Sequence, residues 1–296
     1  MMKVYIDGQA GTTGLALEER LMELAKTVEM KLLKIAQHLR KDVAERKRLL
    51  NQADVVFLCL PDVAAKEAVA MIENPDTIVI DASTAHRTNP DWVYGFPEAS
   101  ASQHKKITTA NQIAVPGCHA TGFIALVYPL IQSGFIELTD TLYCHSLTGY
   151  SGGGKEMIAD YESTDVAASA AWMYALDLNH KHLSEMKHMT GLVTDPLFVP
   201  VVVPVQKGMI VSIPLMASAR QLHEALEAYY KGSTTIKVLE LKKHTSLSIE
   251  NDVAADALEI YVFGNEKQAV VAARLDNLGK GSSGAAVQCM KVRLGL

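Results

Sequence analysis

The stretch Val4-Tyr5-Ile6-Asp7-Gly8-Gln9-Ala10-Gly11-Thr12-Thr13-Gly14 decides the fold. Its first four residues read as a short buried strand, and three glycines at Gly-x-x-Gly-x-x-Gly spacing follow at once. Leu15, Leu17, Leu21, Leu24 and Ala25 then recur at helical spacing, with Glu18, Glu19, Arg20 and Glu23 on the opposite face. A glycine turn between a strand and a helix points free backbone N–H groups and the positive helix end at one spot, where a pyrophosphate binds. Gly8, Gly11, Thr12, Thr13 and Gly14 are therefore candidate nucleotide-binding residues.

Working outward, the pattern repeats. A second strand is expected over about 29–35, a polar helix over 42–51, an apolar strand over 53–60, a helix over 63–72 and a buried strand over 77–81. Strands with few polar positions, alternating with helices, imply a parallel sheet covered on both faces, the doubly wound α/β or Rossmann arrangement. After about residue 140 the rhythm changes. A strand over 140–147 leads to a glycine cluster, Gly149 to Gly154, and helical patterning spans 156–177. Strands are expected over 197–205, 208–217, 258–262 and 269–273, with a helix over 221–231. That order suggests an α+β domain with a mainly antiparallel sheet. In the last twenty residues, from Asn277, a helical pattern restarts after Gly279-Lys280-Gly281.

The end of the second strand bears on the cofactor. An NAD site usually places an acid there for the ribose 2′-hydroxyl, whereas NADP needs a cation for the 2′-phosphate. Here Lys34-Ile35-Ala36-Gln37-His38-Leu39-Arg40-Lys41 contains no acid, and Arg40 or Lys41 could pair with a phosphate, so NADP is expected.

The chain has 296 residues, 49% apolar and 21% charged, with net charge −5 and dispersed Lys and Arg. This is the balance of a globular protein and argues against a nucleic-acid partner, which needs a concentrated basic face. No apolar run is long enough to cross a bilayer, no signal peptide is evident, and a reducing, cytoplasmic compartment is expected. The four cysteines show no Cys-x-x-Cys spacing, so no resident metal is expected. Cys59, Cys144 and Cys289 fall in apolar segments and read as packing residues. Cys118 differs. Pro116-Gly117 ends an extended segment, and Phe123, Ile124, Leu126, Val127 and Leu130 then mark a buried helical face, so Cys118 sits at a helix N-terminus, where the dipole favours a thiolate. A nucleotide loop with one activated cysteine suggests thiolate attack on an acyl carbon, followed by hydride transfer to the thioester.

With these residues in place, the sequence resembles the N-acetyl-γ-glutamyl-phosphate reductases of the semialdehyde dehydrogenase superfamily, in their shorter form. The matching segments are Gly8–Gly14, Asp81-Ala82-Ser83-Thr84-Ala85-His86-Arg87, Tyr94-Gly95-Phe96-Pro97-Glu98, Pro116-Gly117-Cys118-His119-Ala120-Thr121, Ser151-Gly152-Gly153-Gly154-Lys155, and Asn277-Leu278-Gly279-Lys280-Gly281 followed by Gly284-Ala285-Ala286-Val287-Gln288. The resemblance implies a dinucleotide-binding domain over 1–117 with 277–296, a catalytic and substrate domain over 118–276, and a homo-oligomer. It makes Cys118 the nucleophile and places Ser83, Asn277 and Gly281 near the cofactor. It sets Arg87 against an anionic substrate group, with Gly153 and Lys155 also on the substrate, although the glycine cluster reads equally well as a plain turn. The longer form carries a histidine base in a His-Leu-Val-Pro-type segment; the comparable Pro200–Gly208 stretch has valine at that place. His182, in Asn179-His180-Lys181-His182, is then the leading substitute, with His119 the alternative. Val115 replaces an asparagine usual before Pro-Gly-Cys, which removes a side-chain oxyanion donor. The implied reaction is NADPH-dependent reduction of an acyl phosphate, N-acetyl-γ-glutamyl phosphate, in arginine biosynthesis. An aspartyl or amino-adipyl phosphate reductase and a non-catalytic nucleotide sensor are the rival readings.

Overall fold

The computed structural model describes residues 1–163, 170–241, 245–249, 254 and 256–296, and the chain divides into two units. The first comprises Met1–Pro116 and Ser282–Leu296, the second Gly117–Gly281.

In the first unit, strands β1 (Met2–Asp7), β2 (Met30–Leu33), β3 (Val55–Leu58), β4 (Ile78–Asp81), β5 (Val93–Tyr94) and β6 (Gln112–Ala114) form one parallel sheet in the order β2-β1-β3-β4-β6-β5. Alternate residues of each strand enter opposite cores. Val4, Ile6, Val55, Phe57, Ile78 and Ile80 face one apolar layer, and Tyr5, Val56, Leu58 and Val79 face the other. Helices α1 (Thr12–Leu24) and α4 (Ala101–Thr109) contribute Leu17, Leu21 and Ile107 to the first layer, and α2 (Val43–Gln52) and α3 (Asp62–Met71) contribute Leu49, Leu50, Ala65 and Ala68 to the second. Both faces are covered, as near-continuous apolar strands require. The sequence expectation for β2 overshot. It ends at Leu33, and Lys34–Ala36 lead into a short 3-10 turn, Gln37–Leu39.

The second unit centres, among the described residues, on a seven-stranded sheet in the order β11-β12-β13-β10-β7-β9-β8. Its strands are β7 (Tyr143–Gly149), β8 (Trp172–Met173), β9 (Leu197–Val203), β10 (Met209–Leu215), β11 (Ile236–Val238), β12 (Leu258–Gly264) and β13 (Ala269–Leu275). The β7–β9 and β11–β12 ladders are parallel and the other four antiparallel. Helix α5 (Cys118–Gln132) is buried along almost its whole length and packs on β10 and β13, flanked by α7 (Leu183–Thr190) and α8 (Ala219–Tyr229). Gly122 of α5 admits this approach, since a Cβ there would lie 2.5 Å from a Val211 methyl.

The helix expected over 156–177 is corrected. Helix α6 spans Gly154–Tyr161, Trp172–Met173 pair with β9 as a strand, and 164–169 lie outside the described residues. Apolar spacing there did not distinguish helix from an edge strand whose ladder partner is remote in sequence. The strand expected from residue 140 begins at Tyr143, because Asp140 closes a turn by accepting from the Glu137 N–H. The last helix, α9 (Gly284–Leu294), follows a π-turn over Gly279–Ser283, in keeping with the helical pattern expected after Gly279-Lys280-Gly281.

Candidate functional site

The nucleotide loop leaves β1 through Gly8, at φ +90°, where a Cβ would stand 2.1 Å from the Cys59 carbonyl oxygen. Only glycine fits. The Gly11 N–H donates to the Gly8 carbonyl at 3.0 Å, and α1 starts at Thr12 with no side chain capping it. Among the described residues no side chain caps the first turn, as an anion site at a helix N-terminus requires. Gly14 closes the cradle, since a Cβ there would meet the Gly8 oxygen at 2.5 Å, and the Thr13 hydroxyl lies 3.3 Å from that of Ser282. Asp7, just before the loop, is buried, but Arg46 of α2 neutralises it at 2.8 Å, and the carboxylate in turn raises the arginine pKa. Beyond β2, Lys34 pairs with Glu18 at 3.0 Å, and exposed Arg40 donates from Nε to the Gln37 carbonyl. A glycine cradle with cations after β2 fits a phosphorylated dinucleotide.

At the end of β4, the fully buried Asp81 carboxylate organises the next loop. It accepts from the Ser83 N–H at 2.9 Å and the Ser83 hydroxyl at 2.6 Å, and lies 2.7 Å from His86 Nδ1, whose ring stacks on Trp92. Ser83, a cofactor candidate, therefore has its hydroxyl engaged by Asp81. Arg87 is buried and donates from Nε to the Val115 carbonyl at 2.9 Å and from Nη2 to the Ala82 carbonyl at 3.1 Å. Its guanidinium ties the Asp81 loop to the segment that precedes Pro116.

In the second unit, Gly117 is the N-cap of α5 and Cys118 its first residue, half-buried, as the Pro-Gly break requires. Cys118 Sγ and one ring nitrogen each of His119 and His182 lie within 4.8 Å of one another, so both histidines proposed from sequence stand near the sulfur. Their surroundings separate them. His119 is held at both ends, Nδ1 2.7 Å from the Ser146 hydroxyl and Nε2 2.8 Å from the Tyr174 hydroxyl. Burial, then His180 and Lys181, push its pKa down to about 3, so it is a neutral, weakly basic ring. His182, just before α7, has Nε2 3.9 Å from Oε1 of the fully buried Glu185, whose Oε2 accepts from the Gly117 N–H at 3.0 Å. One carboxylate thus holds both a candidate base and the backbone that presents Cys118.

Gly281 lies against the cysteine, where a Cβ would come 2.8 Å from Cys118 Cβ. Asn277 is a clamp, donating from Nδ2 to the Ser151 hydroxyl at 2.9 Å and accepting the Gly208 N–H at 2.9 Å. Through it the 276–281 turn, closed by a Gly281 N–H bond to the Asp276 carbonyl, is fixed to the glycine cluster. Gly153 ends a 3-10 turn there, and Lys155 is exposed in the first turn of α6. Sequence reasoning missed Ser146, Tyr174 and Glu185. Only Glu185 left a signal, an acid one helical turn after His182.

Residues 3–107 match the model for the semialdehyde dehydrogenase NAD binding domain, and residues 118–277 that for the semialdehyde dehydrogenase dimerisation domain. An N-acetyl-γ-glutamyl-phosphate reductase 2 of Nostoc sp. is 42% identical over 99% of this chain and 97% of its own, and one of Pseudomonas putida is 40% identical over 99% and 96%. Among solved structures, the Vibrio cholerae aspartate semialdehyde dehydrogenase II complexed with ASA matches with a TM-score of 0.73 at 18% identity, covering 100% of this chain and 98% of that one. The Candida albicans aspartate semialdehyde dehydrogenase with NADP matches at 0.70 and 16%, over 99% and 98%. Those likenesses establish the fold, while the full-length identities carry the finer assignment: this chain belongs to the N-acetyl-γ-glutamyl-phosphate reductase family of the semialdehyde dehydrogenases.

Proposed function

We propose that this chain reduces N-acetyl-γ-glutamyl phosphate to N-acetyl-glutamate 5-semialdehyde and phosphate with NADPH, in the cytoplasm, as a step of arginine synthesis. The observation that carries the reading is the Cys118–His182–Glu185 arrangement at the N-terminus of α5, in a chain 42% identical to named reductases along its length. His182 takes the thiol proton, and the Glu185 carboxylate stabilises the imidazolium that results. The Cys118 sulfur attacks the acyl carbon, a C–S bond forms, the C–O bond to phosphate breaks, and a thioester remains. Gly8, Gly11, Thr12, Thr13, Gly14, Arg40, Ser83 and Gly281 are assigned to holding NADPH, which would supply the hydride that reduces the thioester. His182 returns its proton to the oxygen of the thiohemiacetal, whose collapse breaks the C–S bond and restores the thiol. The α5 N-terminus, where Gly117 as N-cap makes no side-chain cap, is the source of backbone N–H donors for the transient oxyanion. Arg87, Gly153 and Lys155 are assigned to the anionic groups of the substrate; a guanidinium fork suits carboxylate and phosphate alike.

A homo-oligomer accompanies this reading. One face of the second unit's sheet packs on α5 and α8, and the other carries exposed Tyr143, Leu147, Leu197 and Val270. An apolar face of this extent fits a second copy of the chain.

The test is Cys118→Ser. Oxidation of NADPH by the acyl phosphate should fall at least 10³-fold (about 4 kcal/mol of barrier), while NADPH fluorescence titration is unchanged. Full turnover in that variant overturns the mechanism. In the reverse direction, phosphate-dependent NADP reduction should favour N-acetyl-glutamate semialdehyde over aspartate semialdehyde, and the opposite order overturns the substrate.

A further inference from the structure

The donor set around Cys118 has a second chemical capacity, independent of acyl transfer. A thiolate and two imidazoles are the ligands that soft and borderline divalent metals prefer, unlike the oxygen sets of Mg²⁺ or Ca²⁺. Tetrahedral zinc takes sulfur at about 2.3 Å and nitrogen at about 2.0–2.1 Å, which sets ligand atoms roughly 3.3–3.6 Å apart. The three donor atoms already lie within 4.8 Å of one another, near enough for an ion to draw them to that spacing. The groups that orient metal-bound histidines are also present. The Ser146 hydroxyl holds Nδ1 of His119, and Glu185 faces Nε2 of His182, so the opposite nitrogen of each ring is the one for a metal. Nε2 of His119 would exchange its bond to the Tyr174 hydroxyl for the ion. Charge balances as well, because the thiolate and the fully buried Glu185 carboxylate together offset the two positive charges of zinc.

We propose that Cys118, His119 and His182 form a reversible, inhibitory zinc site, closed by a water at the fourth position and blocking the sulfur while it is loaded. The inhibitory half rests on the reductase reading; the binding half does not.

The experiment dialyses the reduced, full-length chain against Zn²⁺ alone and counts bound metal. One zinc per chain is expected. Cys118→Ala should abolish binding, His119→Ala and His182→Ala should each weaken it at least tenfold, and Glu185→Gln should weaken it about 10–100-fold. Cys144→Ala should leave it unchanged. Undiminished binding by Cys118→Ala, or affinity unchanged in both histidine variants, overturns the site. Should a histidine variant fail to fold, Co²⁺ on the unaltered chain decides: intense tetrahedral bands with a thiolate charge-transfer band support the site, and a weak octahedral spectrum overturns it. Because the dialysis needs no turnover, a chain that binds zinc but reduces no acyl phosphate refutes the reductase reading alone, and an active reductase that binds no zinc refutes only this inference.

Discussion

At the scale of single residues, His119 shows how one environment removes a group from acid–base work while keeping it in the site. Its neutral ring joins Ser146 to Tyr174, and burial among His180 and Lys181 leaves no favourable place for a proton. The linkage has a definite sign. The unfolded chain protonates this histidine near pH 6.5 and the folded chain near pH 3, so between those values the unfolded state binds more protons. Stability contributed by the neutral ring is therefore lost as the pH falls below 6.5, by about 1.4 kcal/mol per pH unit at the steepest. Urea unfolding at pH 7 and pH 5 should show the wild type losing about 2 kcal/mol more than His119→Gln; equal losses would sink the assignment. Cys118 itself was legible from sequence, because Pro-Gly before an apolar helical stripe locates a helix start. Glu185, Tyr174 and Ser146 were not, since they converge only when β7, α7 and the 170–182 segment fold onto α5.

At the scale of elements, the 276–281 turn carries more than its length suggests. Asn277 joins it to Ser151 and Gly208, and Gly281 touches Cys118. A methyl group at position 281 would meet Cys118 Cβ at 2.8 Å, the Asp276 oxygen at 3.2 Å and Cys118 Cα at 3.3 Å, two of which are backbone atoms. Gly281→Ala must then displace Cys118, and for the proposed nucleophile a shift of about an ångström costs about 10²-fold in rate. Overpacking should cost about 1–3 kcal/mol of stability. Steady-state kinetics should show kcat reduced, and an unaltered kcat would mean that the turn yields instead. The same turn marks the limit of sequence reading. Its glycines were visible and the last helical pattern was placed after them, but nothing in Gly279-Lys280-Gly281 distinguishes the π-turn that leads into α9 from an ordinary loop. The parallel sheet was readable because strands buried on both faces show as continuous apolar runs. The edge strand Trp172–Met173, with both residues exposed, carries no such signal.

At the scale of the whole molecule, the second unit's sheet is two-faced in register as well as in composition. On the helix side lie Cys144, Ser146, Phe198, Val211, Ile213, Val271 and Ala273, all buried. On the other side, Tyr143 stands beside Leu197, Leu147 beside Val201, and Val270 beside both Pro214 and Phe263. The face is not uniformly apolar. Toward β12, Arg274 pairs with Glu259 at 2.7 Å and donates to the Tyr261 hydroxyl at 2.6 Å, while its guanidinium lies 5.1 Å from the Tyr261 ring centre. A satisfied polar cluster beside an apolar strip is the composition of an interface core next to its rim. In a two-fold association each substitution enters twice, so Leu147→Glu would bury two carboxylates with no partner and cost several kcal/mol for each. Light scattering should then give the mass of one chain where the parent gives a multiple of it. The dichroism spectrum should not change, because position 147 is already 36% exposed in the single chain. A Leu147→Glu chain that keeps the parent's mass would place the oligomer contact elsewhere on the molecule.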